Sequence, residues 1–290
     1  MDRQAADRLN ARVGLLAVCV AALLVLLKLW AWWVTGALSV AASLVDNLLD
    51  LIVSGAGLAA ILYAARPADD EHRFGHSSAE DLAALAQAAF VTLSAIAISL
   101  TAFRRLLGAP APLTAETEGI LAMLAAVLLT LGLVLVQRAT ARRTGSKVIA
   151  ADSLHYLSDL LPGIGAIAAL ALSRRFGWAQ IDAVVALLTA GILLRGAWTI
   201  GRDAVDALMD RGAGRDVQDT VARLVAARPD VLGFHDLKTR RAGTRIFIQM
   251  HIELDGSRSL HDAHATGAAL RQDILDALPD AEVIIHKDPA

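Results

Sequence analysis

The sequence predicts an α-helical membrane protein: a six-span transmembrane bundle followed by a small cytoplasmic α/β domain. Three observations carry this. The 290 residues are 56% hydrophobic and 19% charged, with a mean hydropathy of +0.53, too apolar for an ordinary soluble protein. The first two thirds hold six apolar runs, each long enough to cross a bilayer core as a helix. From about Asp210 the pattern changes to short amphipathic stretches, and no later run could span.

The spans fall at about 13–35, 38–65, 81–106, 117–138, 148–173 and 179–203. The polar lead "MDRQAADRLNAR" carries both signs of charge. The apolar run after it is too long for the core of a cleaved signal, so it reads as the first span. "RPADDEHRFGHSS" joins the second and third spans, and "ATARRTGSK" the fourth and fifth. With the N-terminus inside, the inner segments hold Arg3, Arg8, Arg12, Arg66, Arg73, Arg138, Arg142, Arg143 and Lys147. The outer loops hold only Arg104, Arg105, Arg174 and Arg175. This bias predicts that both termini are cytoplasmic. The domain boundary is placed at 209/210. The single cysteine, Cys19, excludes an internal disulfide and a multi-Cys zinc site, and it reads as a packing residue. A net charge of −2 gives no reason to expect a nucleic-acid partner.

The tail, 210–290, predicts an α-β-β-α-β order with both helices on one face of a sheet. "DVQDTVARLVAARP" has helical spacing. "VLGFHDLKTRRAG" and "TRIFIQMHIELDG" read as two strands, with Gly243 in the turn between them. "SLHDAHATGAALRQDILDAL" is a helix that Ser259 can cap, and "AEVIIH" is a third strand.

Polar residues in the apolar runs point to metal chemistry. Asp46 and Asp50 share one face of the second span at i and i+4. His155 and Asp159 do the same on the fifth. Counted from opposite ends, all four lie about 7 to 12 residues deep, roughly the middle third of the bilayer at 1.5 Å per residue. Three carboxylates and one imidazole at one depth suit a divalent transition metal, zinc being the commonest tetrahedral case. Without metal, repulsion and poor solvation favour proton uptake by the same atoms, so metal and protons compete. Ionisable residues inside a membrane mark function before packing. Asp152, nearer the cytoplasmic end of the fifth span, reads as a cytoplasmic-side or packing residue rather than a fifth ligand.

Two further clusters lie outside the membrane. The loop "PADDEHRFGH" offers Asp69, Asp70, His72 and His76, with Pro67 and Gly75 keeping it non-helical. A weak surface metal site and a solvated polar loop both fit that spacing. The tail holds five of the eight histidines: His235, His251, His261, His264 and His286. Asp288, two residues after His286, shares its side of the strand if the strand continues. The strand histidines could converge with His264 on one or two metals, and His261 is the weakest member of the group.

These residues resemble the cation diffusion facilitator family, close to its bacterial zinc/iron exporters. "SLVDNLLD", "PADDEHRFGH", "ADSLHYLSD" and "VIIHKDP" carry the resemblance across nearly the whole chain. It implies a homodimer in the bacterial inner membrane, with six-span subunits and metallochaperone-like cytoplasmic domains. It implies exchange of cytoplasmic Zn²⁺, or Fe²⁺ or Cd²⁺, for protons across the lipid bilayer. Carried over residue by residue, it gives Asp46, Asp50, His155 and Asp159 as the transport site. Asp69, His72 and His76 become the loop site, and His235, His251, His264, His286 and Asp288 the cytoplasmic site. There are two departures. Lys287 stands where close members carry a glutamine, and a cation there disfavours a second metal nearby. Ser78 replaces a lysine that in close members makes an interlocking charge contact, although its expected partner Asp210 is present.

Two other readings were weighed. An intramembrane metalloenzyme needs an open metal position and a general base, whereas four ligands here fill a tetrahedral shell. A membrane-anchored sensor or scaffold needs no ligands in mid-membrane. Alternating access, with the second and fifth spans moving together, is the expected mechanism.

Overall fold

The structure is a computed structural model that describes residues 3–35, 38–107, 120–176 and 181–290. Six long helices come first: α1 (Arg3–Thr35), α2 (Leu38–Ala64), α3 (Ser78–Leu107), α4 (Ile120–Thr144), α5 (Lys147–Phe176) and α6 (Ile181–Leu208). The tail follows as α7 (Arg215–Ala226), β1 (Gly233–Ala242), β2 (Arg245–Leu254), α8 (Leu260–Ala277) and β3 (Ala281–Pro289). Among the described residues, Gln4–Val34, Asp46–Ala64, Ser78–Arg104 and Ala183–Leu208 are long and apolar enough to cross a membrane. Parts of the expected spans at 117–119 and 179–180 lie outside the described residues.

Two helix boundaries differ from expectation. The polar lead is already helical from Arg3. The fourth helix runs on through "ATARRT", so only Gly145 and Ser146 separate it from α5. Gly145 ends it with φ +73°, a left-handed conformation that glycine adopts at no steric cost. Cys19 is exposed on α1 rather than packed.

Helices in lipid associate through close packing rather than through a hydrophobic drive, and small residues allow it. Helix α6 buries Ala183, Ala190, Ala197 and Ala204 at seven-residue spacing. Helix α3 buries Ala88, Ala95 and Ala102 at the same spacing, with Ala84 and Val91 between turns. The two stripes meet in shared clusters: Ala95 with Ala190 and Ala197, and Ala84 with Ala204. Helix α5, carrying His155, packs against this pair and against α4. A third apolar cluster, Val13, Ile61, Val148 and Ile149, closes α1, α2 and α5 together near the α5 N-terminus.

The tail has the predicted order. Its sheet runs β1-β2-β3, with β1 and β2 antiparallel and β2 and β3 parallel. Alternation along β2 sends Ile246, Ile248, Met250, Ile252 and Leu254 to one face. There they meet Val217, Val221 and Val225 of α7 and Leu270 and Ile274 of α8. Ser259 caps α8, its hydroxyl accepting from the Asp262 amide at 3.1 Å. The other sheet face carries the polar residues.

The hairpin tip of the tail docks on the helices. Asp81 of α3 is fully buried. Its Oδ1 lies 2.8 Å from Lys147 Nζ, and its Oδ2 accepts the Gly243 amide at 2.7 Å. Gly243 has φ +56°, and a Cβ there would fall 2.6 Å from the Ser77 carbonyl oxygen, so no other residue fits. Beside it, Arg245 donates to the Phe74 carbonyl at 3.1 Å. Phe74 and Phe247 stack edge to face at 6.0 Å, with the Arg240 guanidinium 4.2 Å over Phe247.

Candidate metal centres

Among the described residues, three groups of ligand-type side chains converge, each with ligand atoms within 4.8 Å of one another: Asp50, His155 and Asp159; Asp69, His72 and His76; and His235, His251 and Asp288. All of these residues were singled out by the sequence.

The first group sits between α2 and α5. Asp50 Oδ1 lies 3.1 Å from His155 Nε2. That ring nitrogen has ion-pair distance but not the angle of a hydrogen bond, and Nδ1 has no protein partner. His155 is only 2% exposed. The Phe90 ring lies edge-on to it at 5.2 Å and Tyr156 lies at 5.6 Å, which fixes the imidazole plane. Asp46, one turn before Asp50, is exposed and stands outside the converging group. Exposure rises from buried His155 to Asp159 and Asp46, one turn farther from the tail on each helix. The sequence reading passed over Lys28 of α1. Its ammonium donates to Asn47 Oδ1 at 2.7 Å and acts electrostatically on Asp50, Asp46 and Asp159. A lone cation in an apolar run was the signal available for it.

The second group is folded by its own backbone. Asp69 Oδ1 accepts the amides of His72 at 2.6 Å and Glu71 at 3.1 Å, an Asx turn that curls the loop over itself. These bonds, the His72 amide first, hold the Asp69 carboxyl below the ordinary carboxylate range. Its Oδ2 faces His76 Nε2 at 3.2 Å, and the two imidazoles lie 4.6 Å apart. Tyr63, at the end of α2, stacks edge-on against buried His76 at 4.6 Å. Gly75 with φ +82° makes the return turn. Asp70 instead faces Arg73 and joins no group.

The third group follows from strand register. His235 pairs with His251 across β1 and β2, and His251 pairs with His286 across β2 and β3. The three imidazoles therefore form a row on the open face of the sheet, with ring centres 5.1 and 4.7 Å apart. Asp288, two residues along β3, stays on that face. Its Oδ2 is 2.9 Å from His251 Nδ1 and 3.2 Å from His235 Nε2, and its Oδ1 is 3.1 Å from His286 Nε2. The His251 hydrogen bond chiefly, with the three imidazoles around it, holds the Asp288 carboxyl below its ordinary range. A bulge between His235 and Lys238 puts Asp236 at φ +52° just after the histidine. His264 is exposed on α8, on the other side of the sheet, and stands outside the row, as does His261. Helix and ligand row occupy opposite faces, which a linear sequence does not display.

The two departures acquire geometry. Lys287 alternates away from His286 and Asp288, and its side chain lies over Gly267 of α8. It is not among the ligands and does not block the row. Asp210 pairs with Arg240 Nη1 at 3.0 Å within the same chain, in place of a contact to position 78.

Residues 14–209 match the family model of the cation efflux transmembrane domain, and residues 213–290 that of the cation efflux protein cytoplasmic domain. The chain is 42% identical to the cation-efflux pump FieF of Cronobacter sakazakii over 282 residues, covering 97% of this chain and 93% of that one. It is 41% identical to the pump of the same name from Escherichia coli O127:H6 over 286 residues, 99% and 95% of the two chains. In the tail it is 37% identical to the metal-bound C-terminal domain of the CzcD transporter from Thermotoga maritima. That match covers 26% of this chain and 88% of the other, with a TM-score of 0.25. With both halves matched in order and full-length relatives this similar, the chain belongs to the cation efflux family, the cation diffusion facilitators.

Proposed function

We propose that this family member is a divalent metal/proton antiporter that exports cytoplasmic Zn²⁺, with Fe²⁺ or Cd²⁺ as related cargo, by alternating access. The family's members are transporters rather than enzymes. The observation that carries the reading is the group of Asp50, His155 and Asp159 on two facing helices inside the bundle. An oxygen and nitrogen set of this kind suits a borderline divalent ion. Asp46 supplies the fourth ligand from the next turn of α2.

The same atoms accept protons when metal leaves, because a cluster of uncompensated carboxylates is poorly solvated there. Metal from the cytoplasm displaces those protons. α2 and α5 then move together, and external protons displace the metal. Six spans with both termini in the cytoplasm put the loop and tail groups on the supply side of the inner membrane. There they hold regulatory ions, Asp69 with His72 and His76, and Asp288 with His235, His251 and His286. The chain works as a homodimer joined through the tail, as the name of relatives' dimer-forming cytoplasmic domain supports.

Competitive uptake of Zn²⁺, Cd²⁺, Fe²⁺ and Mn²⁺ into proteoliposomes at controlled pH tests this. Metal-driven proton flux that vanishes in Asp50→Ala is the expected result. Full flux in that variant refutes the proposal.

A further inference from the structure

The buried intramembrane carboxylate of Asp152 lies outside the three groups. Asp152 is one turn nearer the α5 N-terminus than His155 and only 5% exposed. Neutral donors hold it: Ser54 Oγ of α2 donates to Oδ1 at 3.0 Å, and Gln137 Nε2 of α4 donates to Oδ2 at 2.6 Å. The charged groups that act on it are His155 of its own helix and Asp50 of α2. Helices α1 and α4 contribute Val13, Gly14 and Gln137 to its surroundings, none of them titratable. A buried carboxylate held only by neutral donors is poorly compensated when ionised, and becomes neutral on taking up a proton.

Hydrogen-bond direction adds a second observation. The Ser54 hydroxyl has one proton, which it gives to Asp152. The Tyr156 hydroxyl lies 2.9 Å from Ser54 Oγ and 3.4 Å from the Ala17 carbonyl oxygen, so its one proton has an acceptor on either side. The Ser54 bond points toward the carboxylate; with Asp152 protonated on Oδ1, Ser54 can accept from it and donate to Tyr156, whose proton then goes to the Ala17 carbonyl. A third observation is space. A cavity of about 10 Å³, the room one water needs, is lined by Asp152, Ser54 and Gln137 on its polar side. Gln137 Oε1 is buried there without a protein partner. Toward the α5 N-terminus the cavity is lined by an apolar layer of Val13, Ile61, Val148 and Ile149.

From this arrangement we infer that Asp152 is a proton-accepting station between the transport site and the cytoplasm, reached through one bound water in this cavity. The inference rests on the metal/proton exchange proposed above. When metal loads, a proton leaves a ligand atom and an O–H bond forms on the Asp152 carboxylate, which becomes neutral. When α1, α2 and α5 part at the apolar layer, that bond breaks and the proton passes to water on the cytoplasmic side. The room suits a water, not a hydrated divalent ion, and the two N–H and O–H donors face the carboxylate where a metal would need acceptors. Asp152 is thus a relay for protons and no fifth metal ligand.

The test uses the full chain in proteoliposomes, with a pH dye and a metal dye read in the same vesicles during Zn²⁺-driven exchange. Asp152→Asn should slow coupled flux about tenfold and flatten its pH profile. The Zn²⁺ concentration for half-maximal flux should stay unchanged, and Asp152→Glu should recover part of the rate. Gln137→Leu removes one donor and the cavity acceptor without touching the carboxylate. It should slow flux several-fold at the same half-maximal concentration, and it decides the matter if Asp152→Asn does not fold. Wild-type rates and pH profile in both variants overturn the inference. So does a large rise in half-maximal Zn²⁺, which would make Asp152 a ligand. Zn²⁺ flux without proton movement in the wild type would instead defeat the exchange reading itself.

Discussion

The transport group and the tail row use the same side chains, aspartate and histidine, on two different kinds of scaffold. In the bundle, the ligands come from two helices, and His155 is buried between aromatic rings. In the tail, they come from three adjacent strands and stand half exposed on the open face of a sheet. Helices can slide or tilt against each other, so ligands on facing helices can be brought together and separated. Strands in one hydrogen-bonded sheet cannot change register without losing every ladder bond and turning each side chain over. On the function proposed above, the bundle scaffold suits a site that releases its ion, and the sheet scaffold one that keeps its geometry.

The contrast can be broken at its strongest point first. Asp50→Ala should reduce metal-driven flux in proteoliposomes by about 100-fold or more, since loss even of a supporting contact costs 10–100-fold in affinity. Next is the joint between the two regions. Asp81→Ala leaves Lys147 and the Gly243 amide without their acceptor. It should destabilise the protein by about 3 kcal/mol, the low end for a broken buried pair, because Lys147 keeps its bond to the Asp203 carbonyl. Thermal unfolding in detergent would measure it.

On the sheet, His251→Ala removes the middle of the row. It should weaken tail metal binding about 10–100-fold, read by calorimetry in an Asp50→Ala background, while saturated transport changes by less than about twofold. His264→Ala should leave tail binding unchanged, and a clear loss would bring α8 into the site after all. The smallest effect concerns acid. The Thr266 hydroxyl bond chiefly holds the Asp230 carboxyl below its ordinary 3.8. That stabilisation is fully present above the ordinary value and is lost as pH falls through the depressed one. Thr266→Val should therefore lower tail stability at neutral pH slightly, with the difference vanishing in strong acid, as circular dichroism would show.

Much of this was legible in the chain. "SLVDNLLD" and "HYLSD" are readable because a charge in an apolar run has few innocent explanations. The tail order was readable because β2 alternates and α7 has helical spacing. Register was not: no local signal says that His235, His251 and His286 fall in one row rather than one residue apart. His264 was grouped with them through the family resemblance, and within this chain it lies on the helix over the opposite face. Asp46 shares a face with Asp50, yet helical spacing alone does not make both converge on His155. Asp81 escaped because it looks like an ordinary polar residue until its partner, 66 residues away, is known, whereas Lys28 was passed over although a cation in an apolar run was signal enough.

Asp81 joins three parts of the chain that are far apart in sequence. One of its oxygens holds the first residue of the helix that carries His155, and the other holds the tip of the β-hairpin that carries His235 and His251. A hairpin tip with no room for a side chain works as a peg, and the buried carboxylate is its socket. A tilt of α5 about that point can keep the Lys147–Asp81 pair, whereas a slide along its axis would break that pair and leave the peg seated on α3. The joint therefore sorts the motions open to the bundle. It favours a tilt over a slide, so on the function proposed above Asp81 is the fulcrum for the helix that carries His155.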